Sequence, residues 1–241
     1  MSILSAALLN IRSISEHILP AQPCFLCGAL SHEGLCCAGC NAELPRLGAS
    51  HCPICALPTN AGEVCGQCLQ HPPHFDHTVA AFSYSFPVNQ LLKALKFHER
   101  LELVNFLADE LTKSIACVPD AVVAMPLHPS RLRGRGFNQS QLLAARIAAR
   151  LKVPLLADVC HRVRDTAPQS SLPLKEREKN MRNVFTVTLS DQWQGKHMAI
   201  VDDVMTSAAS MGELANAFKK AGARSVTACV IARTLPHNHD N

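Results

Sequence analysis

Two adjacent carboxylates, Asp202 and Asp203, follow an apolar run in the second half of the chain. Residues 198–201 predict a buried strand before them, and apolar residues at helical spacing begin at Met211. Small hydroxyl residues lie between strand and helix: Thr206, Ser207 and Ser210. A helix N-terminus offers free N–H groups and a positive dipole end to a phosphate, and two carboxylates can accept hydrogen bonds from vicinal sugar hydroxyls. The pattern favours a phosphorylated sugar, whereas an isolated Asp-Asp pair would favour a solvated strand end or a helix cap.

Most of the twelve cysteines form a repeated unit of two C-x-x-C pairs. The spacing C-x2-C-x9-C-x2-C occurs twice with an offset of 28 residues, at Cys24, Cys27, Cys37 and Cys40 and at Cys52, Cys55, Cys65 and Cys68. Four thiolates complete one tetrahedral site, so the pattern predicts two structural zinc ions. Cys36 is an alternative to Cys37, although only Cys37 keeps the spacing of both units. Redox dithiols or disulfides are the other interpretation, and two equal units favour metal.

Charge is unevenly distributed along the chain, whose net charge is +4. Residues 1–75 carry a net charge of −2 and residues 76–241 carry +6, so an anion-binding surface is expected in the second part. No stretch approaches the roughly 20 apolar residues of a membrane span. The apolar residues of segment 1–20 predict one face of an amphipathic helix rather than an export signal. Clustered cysteine pairs without such a signal favour a reducing cytoplasm.

A basic loop over residues 126–140 follows a predicted strand. Acids are absent from residues 121–157, and six bases occur there. Pyrophosphate or a nucleic-acid backbone would fit such a loop, and a solvated basic face is the alternative. Phe137 is its only aromatic residue, so its capacity to stack bases is small. The residues expected to bind pyrophosphate or DNA are Arg131, Arg133, Arg135, Asn138 and Gln139.

Strands and helices alternate over the second part of the chain, which predicts a parallel α/β sheet. The predicted strands cover residues 79–86, 121–125, 198–201 and 225–232, and the predicted helices cover 87–97, 103–115, 139–151 and 211–221. Ligands of such sheets bind at the carboxyl ends of the strands, so the loops after Met125 and Asp202 are expected at one edge. The basic segment 161–185 predicts a mobile flap or a disordered insertion.

Three strings of residues carry a resemblance to the ComF family: R135-G-F-N-Q139, R164-D-T-x-x-Q169 and V201-D-D-V-M-T206. The last string also resembles the signature of the type I phosphoribosyltransferases, which bind phosphoribosyl pyrophosphate (PRPP). The resemblance covers nearly the whole chain. It implies an α/β fold with a parallel sheet of the type I phosphoribosyltransferase kind and a small N-terminal double zinc ribbon. The implied boundaries are an N-terminal segment at 1–20, the ribbon at 21–75 and the phosphoribosyltransferase-like domain at 76–241.

The resemblance also implies roles for particular residues. The implied PRPP-binding set is Asp202, Asp203, Val204, Met205, Thr206, Ser207, Ala208, Ala209 and Ser210, with the carboxylates on the ribose and residues 206–210 on the 5′-phosphate. Magnesium would accompany the pyrophosphate. The phosphoribosyltransferases usually have glycine where this chain has Ala208, and alanine tolerates a positive φ poorly.

The family association implies a cytoplasmic role in competence and DNA utilisation. One interpretation is a phosphoribosyltransferase that transfers the sugar to an acceptor left open by the sequence. A second is a factor that binds single-stranded DNA and DNA-uptake proteins, with a regulatory or non-catalytic phosphoribosyltransferase fold. A third is a degenerate domain without a ligand.

Overall fold

A computed structural model describes residues 21–32, 34–165 and 183–236 of the chain. They form two compact units, one ending at Leu44 and the other beginning at Pro45. In the first unit, strands β1 (Gln22–Pro23) and β2 (Leu30–Ser31) pair antiparallel, and helix α1 (Ala38–Ala42) follows. The amphipathic segment predicted over 1–20 lies outside the described residues, as does most of the predicted flap.

The second unit shows the alternation of strands and helices that the sequence predicts. Its elements are α2 (Gly66–Gln70), β3 (His77–Ser83), α3 (Val88–Phe97), α4 (Leu103–Lys113), β4 (Ala121–Ala124), α5 (Pro129–Arg135), α6 (Gln139–Leu151), β5 (Cys160–Arg162), β6 (Phe185–Val187), a 3₁₀ turn (Asp191–Trp193), β7 (His197–Met205), α7 (Ala209–Lys220) and β8 (Ser225–Arg233). Strands β5 and β6 pair antiparallel and frame the undescribed residues 166–182.

Strands β3, β8, β7 and β4 form a parallel sheet in that order, which confirms the predicted α/β class. The central strands β7 and β8 are nine residues long, and most of their residues are buried. Buried residues of α7, including Leu214 and Phe218, pack on the sheet. Burial on both faces of the sheet explains why these strands are continuous apolar runs in the sequence.

Strand β7 extends beyond the predicted end at Val201, so both aspartates lie inside the strand. Its pairing with β8 continues through Met205, which lies opposite Arg233. Its pairing with β4 ends at Val201. Residues 202–205 are therefore held on one side by β8, and their other side faces the loop that follows β4.

The loop predicted over 126–140 contains a short helix, α5, that the sequence analysis missed. Pro129 lies in its first turn, where the missing N–H of proline costs nothing. The Nδ1 atom of His128 accepts a hydrogen bond from the N–H of Ser130 and caps the helix. Gly136 ends it in the left-handed conformation, with φ 83°.

Candidate functional site

The loops after β4 and β7 meet at the carboxyl edge of the sheet. The Oγ of Ser140 donates to Asp202 Oδ1 at 2.8 Å, and the Nε2 of Gln139 donates to Asp203 Oδ2 at 3.1 Å. Each bond joins two residues that are far apart in the sequence, by 62 positions in the first pair and 64 in the second. The structure brings the basic loop and the acid pair together, as parallel strand order requires.

Asp203 is held inside the protein by its neighbours. It is 4% exposed, and its Oδ2 lies 2.6 Å from the Nζ of Lys96 in α3. Its Oδ1 accepts a hydrogen bond from the N–H of Val204 at 2.6 Å. Both carboxylate oxygens of Asp203 are therefore engaged by protein donors, which fits a structural role in fixing the end of β7.

Asp202 is the more accessible member of the pair and lines a small pocket with residues of the following loop. Its Oδ1 accepts from Ser140 and from the N–H of Asp203, whereas no hydrogen bond to its Oδ2 is found among the described residues. Burial and the nearby Asp203 carboxylate raise the pKa of Asp202 to about 7, against the opposing effect of Lys96. Asp202 is therefore poorly satisfied by the protein alone.

The other lining residues of this pocket are Val204, Met205, Thr206, Ala208, Ser210 and Met211. Ala208 adopts a left-handed conformation, with φ 64°, and immediately precedes helix α7. The Oγ of Ser207 is buried without a hydrogen-bond partner among the described residues. A left-handed turn that leads into a helix N-terminus directs backbone N–H groups to one point, which suits an anion.

The arginines of α5 differ in their surroundings. Arg131 Nε lies 3.7 Å from Asp165, whose Oδ2 also accepts from Ser130. Arg135 donates to the Oε1 of Gln139 at 2.5 Å, and its guanidinium carbon lies 5.7 Å from the ring centroid of Phe97.

The other residues of this loop that are predicted to bind an anion have different surroundings from Arg131 and Arg135. Arg133 is exposed. Asn138 caps α6 through the N–H of Ser140 and donates to the carbonyl of Met125. Gln139 is 4% exposed. Only the arginines of this set therefore present charge to solvent.

Each predicted set of four cysteines gathers its sulfur atoms in space. All ligand atoms of a set lie within 4.8 Å of one another, and Cys37, not Cys36, belongs to the first set. The Sγ–Sγ distance is 3.8 Å for Cys27 and Cys37 and 3.6 Å for Cys55 and Cys65. Tetrahedral zinc with bonds of about 2.3 Å would separate its sulfurs by about 3.8 Å. The donor set and its spacing fit two structural zinc ions.

The first cysteine of each set lies in a nest of backbone donors. Burial raises the pKa of Cys24, but N–H groups of Cys37, Cys27 and Leu26 outweigh this effect and lower it to about 6. The pKa of Cys52 is lowered to about 7 in the same way, because the N–H groups of Cys65, Cys55 and Ile54 outweigh the effect of burial. Such donors stabilise the thiolate form that a metal requires.

Sequence reasoning missed several side chains of the site. Lys96 and Phe97 come from α3, for which the sequence predicted only a helix. Asp165 belongs to the string R164-D-T-x-x-Q169, but the sequence predicted no role for it. Arg233 lies at the end of β8, with no local sequence signal, and donates to Met205 at the base of the loop. Their roles depend on tertiary contacts, so no pattern of neighbouring residues could identify them.

Comparisons with known proteins find two domain families in the chain. A double zinc ribbon domain matches residues 14–69, and a phosphoribosyl transferase domain matches residues 138–238. The DNA utilization protein YhgH of Salmonella typhi is 37% identical over 224 residues, covering 88% of this chain and 97% of that protein. The chain belongs to the ComF family.

More distant members of the ComF family align over a similar length. Competence protein F of Haemophilus influenzae is 27% identical over 85% of this chain and 92% of its own. Competence protein ComFC of Bacillus subtilis is 23% identical over 82% of this chain and 84% of its own. Among the residues described by the structure, no helix combines the length and hydrophobicity needed to cross a membrane.

Proposed function

We propose that the chain binds magnesium–PRPP in the pocket between β7 and α7 and uses it in DNA utilisation in the cytoplasm. The observation that carries the proposal is the incompletely satisfied Asp202 carboxylate beside the N-terminus of α7. An acceptor oxygen for sugar hydroxyls and a set of N–H donors for a phosphate thus face one pocket.

Two features beside the pocket support this ligand over an unspecific anion. The buried Ser207 hydroxyl supplies a donor without a protein partner among the described residues. Arg131 and Arg135 add positive charge from the neighbouring loop, where a pyrophosphate would need it. Magnesium would be held by the pyrophosphate oxygens and by water, since it prefers such ligands.

The phosphoribosyltransferase fold supports a reaction of one class. A nucleophile would displace pyrophosphate at the anomeric carbon, forming a bond to that carbon while the carbon–oxygen bond to pyrophosphate breaks. The chain would orient the sugar through Asp202 and stabilise the departing charge through its arginines. Pyrophosphate release in the presence of candidate nucleobases measures whether the bound PRPP reacts.

Calorimetry with PRPP, with and without magnesium, tests the binding proposal. We expect Asp202→Asn to weaken binding at least about 100-fold, because the amide presents a donor to sugar hydroxyls and lowers acceptor capacity. The same substitution at the exposed Asp191 is the matched control and should leave the affinity unchanged. Equal affinities of wild type and Asp202→Asn would place the ligand elsewhere.

The stability of Asp202→Asn separates lost binding from lost folding. The folded protein holds the Asp202 proton up to about pH 7, whereas an unfolded aspartate releases it near pH 4. The free energy of unfolding therefore falls as the pH rises between these values. Above pH 7, Asp202→Asn should be at least as stable as wild type in urea unfolding, and a less stable variant would contradict the raised pKa.

Single-stranded DNA is the second candidate ligand, and Phe97 favours it. The sequence offered only Phe137 as a stacking residue of the basic loop. The structure adds Phe97, which is 65% exposed beside Arg135. An exposed aromatic ring beside an arginine is an arrangement on which single strands stack their bases.

Fluorescence anisotropy of a labelled oligonucleotide tests this second ligand. We expect Phe97→Leu to weaken DNA binding about 10-fold, since stacking contributes about 1–3 kcal/mol per base, and to leave PRPP affinity unchanged. Phe86→Leu, at another exposed phenylalanine, is the control. Saturating magnesium–PRPP should displace the oligonucleotide, and simultaneous binding at full affinity would place DNA on another face.

A further inference from the structure

Arg233 connects the second set of cysteines to the candidate PRPP loop. It ends strand β8 and is only 4% exposed. Its Nε donates to the carbonyl of Cys55 at 2.7 Å, and its Nη1 donates to the carbonyl of Met205 at 2.9 Å. Further carbonyl acceptors of Nη1 are those of Thr206 and Thr234. One buried side chain thus bonds a residue of the cysteine set and the first residues of the loop.

The cysteine side of this connection is rigidly attached to the sheet. The carbonyls of Pro53, Ile54 and Cys55, which form the turn of the C-x-x-C pair, all accept hydrogen bonds from β3 or β8. The N–H of Thr78 donates to the carbonyl of Pro53 at 3.1 Å, and its hydroxyl donates to the carbonyl of Ile54 at 2.5 Å. Arg233 donates to the carbonyl of Cys55. The next residue, Ala56, is fully buried in the core of the sheet domain.

The loop side is held almost entirely through its backbone. The carbonyl of Met205 accepts from Arg233 and also from the N–H of Thr234. The carbonyl of Thr206 accepts from Arg233 as well. The strained Ala208 follows two residues later, so the direction of the loop depends on where its first carbonyls are fixed.

We infer that Arg233 is a positioning residue that couples metal occupancy of the second cysteine set to the geometry of the PRPP loop. With the second metal bound, the Cys52–Cys55 turn keeps the Cys55 carbonyl in place for Arg233. Without it, the turn loosens, Arg233 loses an acceptor and the loop shifts from its binding geometry. The inference rests on the proposed function for its ligand, but the coupling itself can be measured without PRPP.

The decisive comparison uses equivalent cysteines of the two sets. Cys37 and Cys65 are the third ligands of their sets, and each is the N-cap of a five-residue helix. We expect Cys65→Ser to weaken magnesium–PRPP binding about 10-fold and to speed backbone hydrogen exchange in residues 204–211. Cys37→Ser should change neither. Cys65→His, which can still bind zinc, should restore both values.

Substitution of Arg233 tests the effect of losing its hydrogen bonds while both metal ions stay bound. Arg233→Lys keeps the charge but offers a single ammonium in place of a planar fork. It should weaken PRPP binding and speed exchange in residues 204–211 as Cys65→Ser does, while two zinc ions remain bound by elemental analysis. A residue that served only global stability would instead change exchange throughout the sheet.

Coupling between two sites is reciprocal, so PRPP must also act on the metal. Zinc release to a chromogenic chelator should occur in two phases, and saturating magnesium–PRPP should slow one of them about 10-fold. The slowed phase should be the one that Cys65→Ser removes. In Arg233→Lys, PRPP should slow neither phase.

Different results would overturn the two proposals separately. The coupling is wrong if Cys65→Ser loses its zinc yet keeps wild-type exchange in residues 204–211. The PRPP proposal alone is wrong if wild type binds no PRPP but Cys65→Ser still loosens this segment. Should Arg233→Lys fail to fold, the comparison of Cys37→Ser with Cys65→Ser still decides the coupling.

Discussion

The two sets of cysteines have the same spacing but different surroundings. In the first, Cys27 is exposed and only Cys24 is buried, whereas in the second Cys52, Cys55 and Cys68 are all buried. The first belongs to the compact unit that ends at Leu44, and the second belongs to the unit of the parallel sheet. One local motif thus serves as a separate module in one place and as part of a larger core in the other.

The turn after the first C-x-x-C pair shows how context changes a single position. Gly28 and Ala56 occupy equivalent positions and both are left-handed, with φ 76° and 56°. Each N–H bonds the carbonyl of the first cysteine, at 2.9 Å and 2.8 Å. A Cβ on Gly28 would meet nothing within 4 Å, whereas Ala56 is fully buried. Packing of the alanine methyl group offsets part of its backbone strain in the second set.

Loss of metal should distinguish the two sets most strongly. We expect Cys65→Ser to lower the Tm of the sheet unit by about 10 °C or more, because zinc binding contributes several kcal/mol to the turn that packs on the sheet. Cys37→Ser should leave this transition unchanged. The fluorescence of Trp193, the only tryptophan, reports it because that residue packs on the sheet's core. Equal shifts in Tm would show that the sets are energetically equivalent.

The hydroxyl of Thr78 should contribute the next largest effect. Thr78→Val keeps the shape of the side chain but leaves the carbonyl of Ile54 without its donor, so we expect a loss of about 1–2 kcal/mol in the free energy of unfolding. Urea unfolding followed by Trp193 fluorescence measures it. The matched control, Thr186→Val, changes an exposed threonine and should alter stability by less than about 0.5 kcal/mol.

The smallest effects should appear at the two left-handed positions. Gly28→Ala should weaken zinc binding at the first set by about 1 kcal/mol, measured by chelator competition, because strain is added without packing. Ala56→Gly should change the urea unfolding of the sheet unit by less than about 1 kcal/mol, since relief of strain opposes loss of a buried methyl group. Equal and large losses at both positions would contradict this assignment of strain and packing.

The sequence predicted the two sets of four cysteines and the central elements well because their signals are local. The repeat of 28 residues favoured Cys37 over Cys36, the structure places Cys37 in the set, and helix α6 has its predicted bounds of 139–151. The end of β7 was predicted four residues too early, since only the neighbouring strand β8 carries the pairing to Met205. The predicted PRPP set stays a prediction, although six of its nine residues line one pocket beside the N-terminus of α7.

The sequence by itself determined which cysteines form the two sets of four, which runs become strands and where phosphate chemistry is expected, because these follow from spacing, hydrophobic period and residue type. The tertiary structure decided how the aspartates differ: Lys96, from a distant helix, holds Asp203, while Asp202 faces the pocket. It also decided that the second cysteine set joins the loop through Arg233. Such contacts depend on which elements the sheet order brings together, and no local pattern of residues encodes that order.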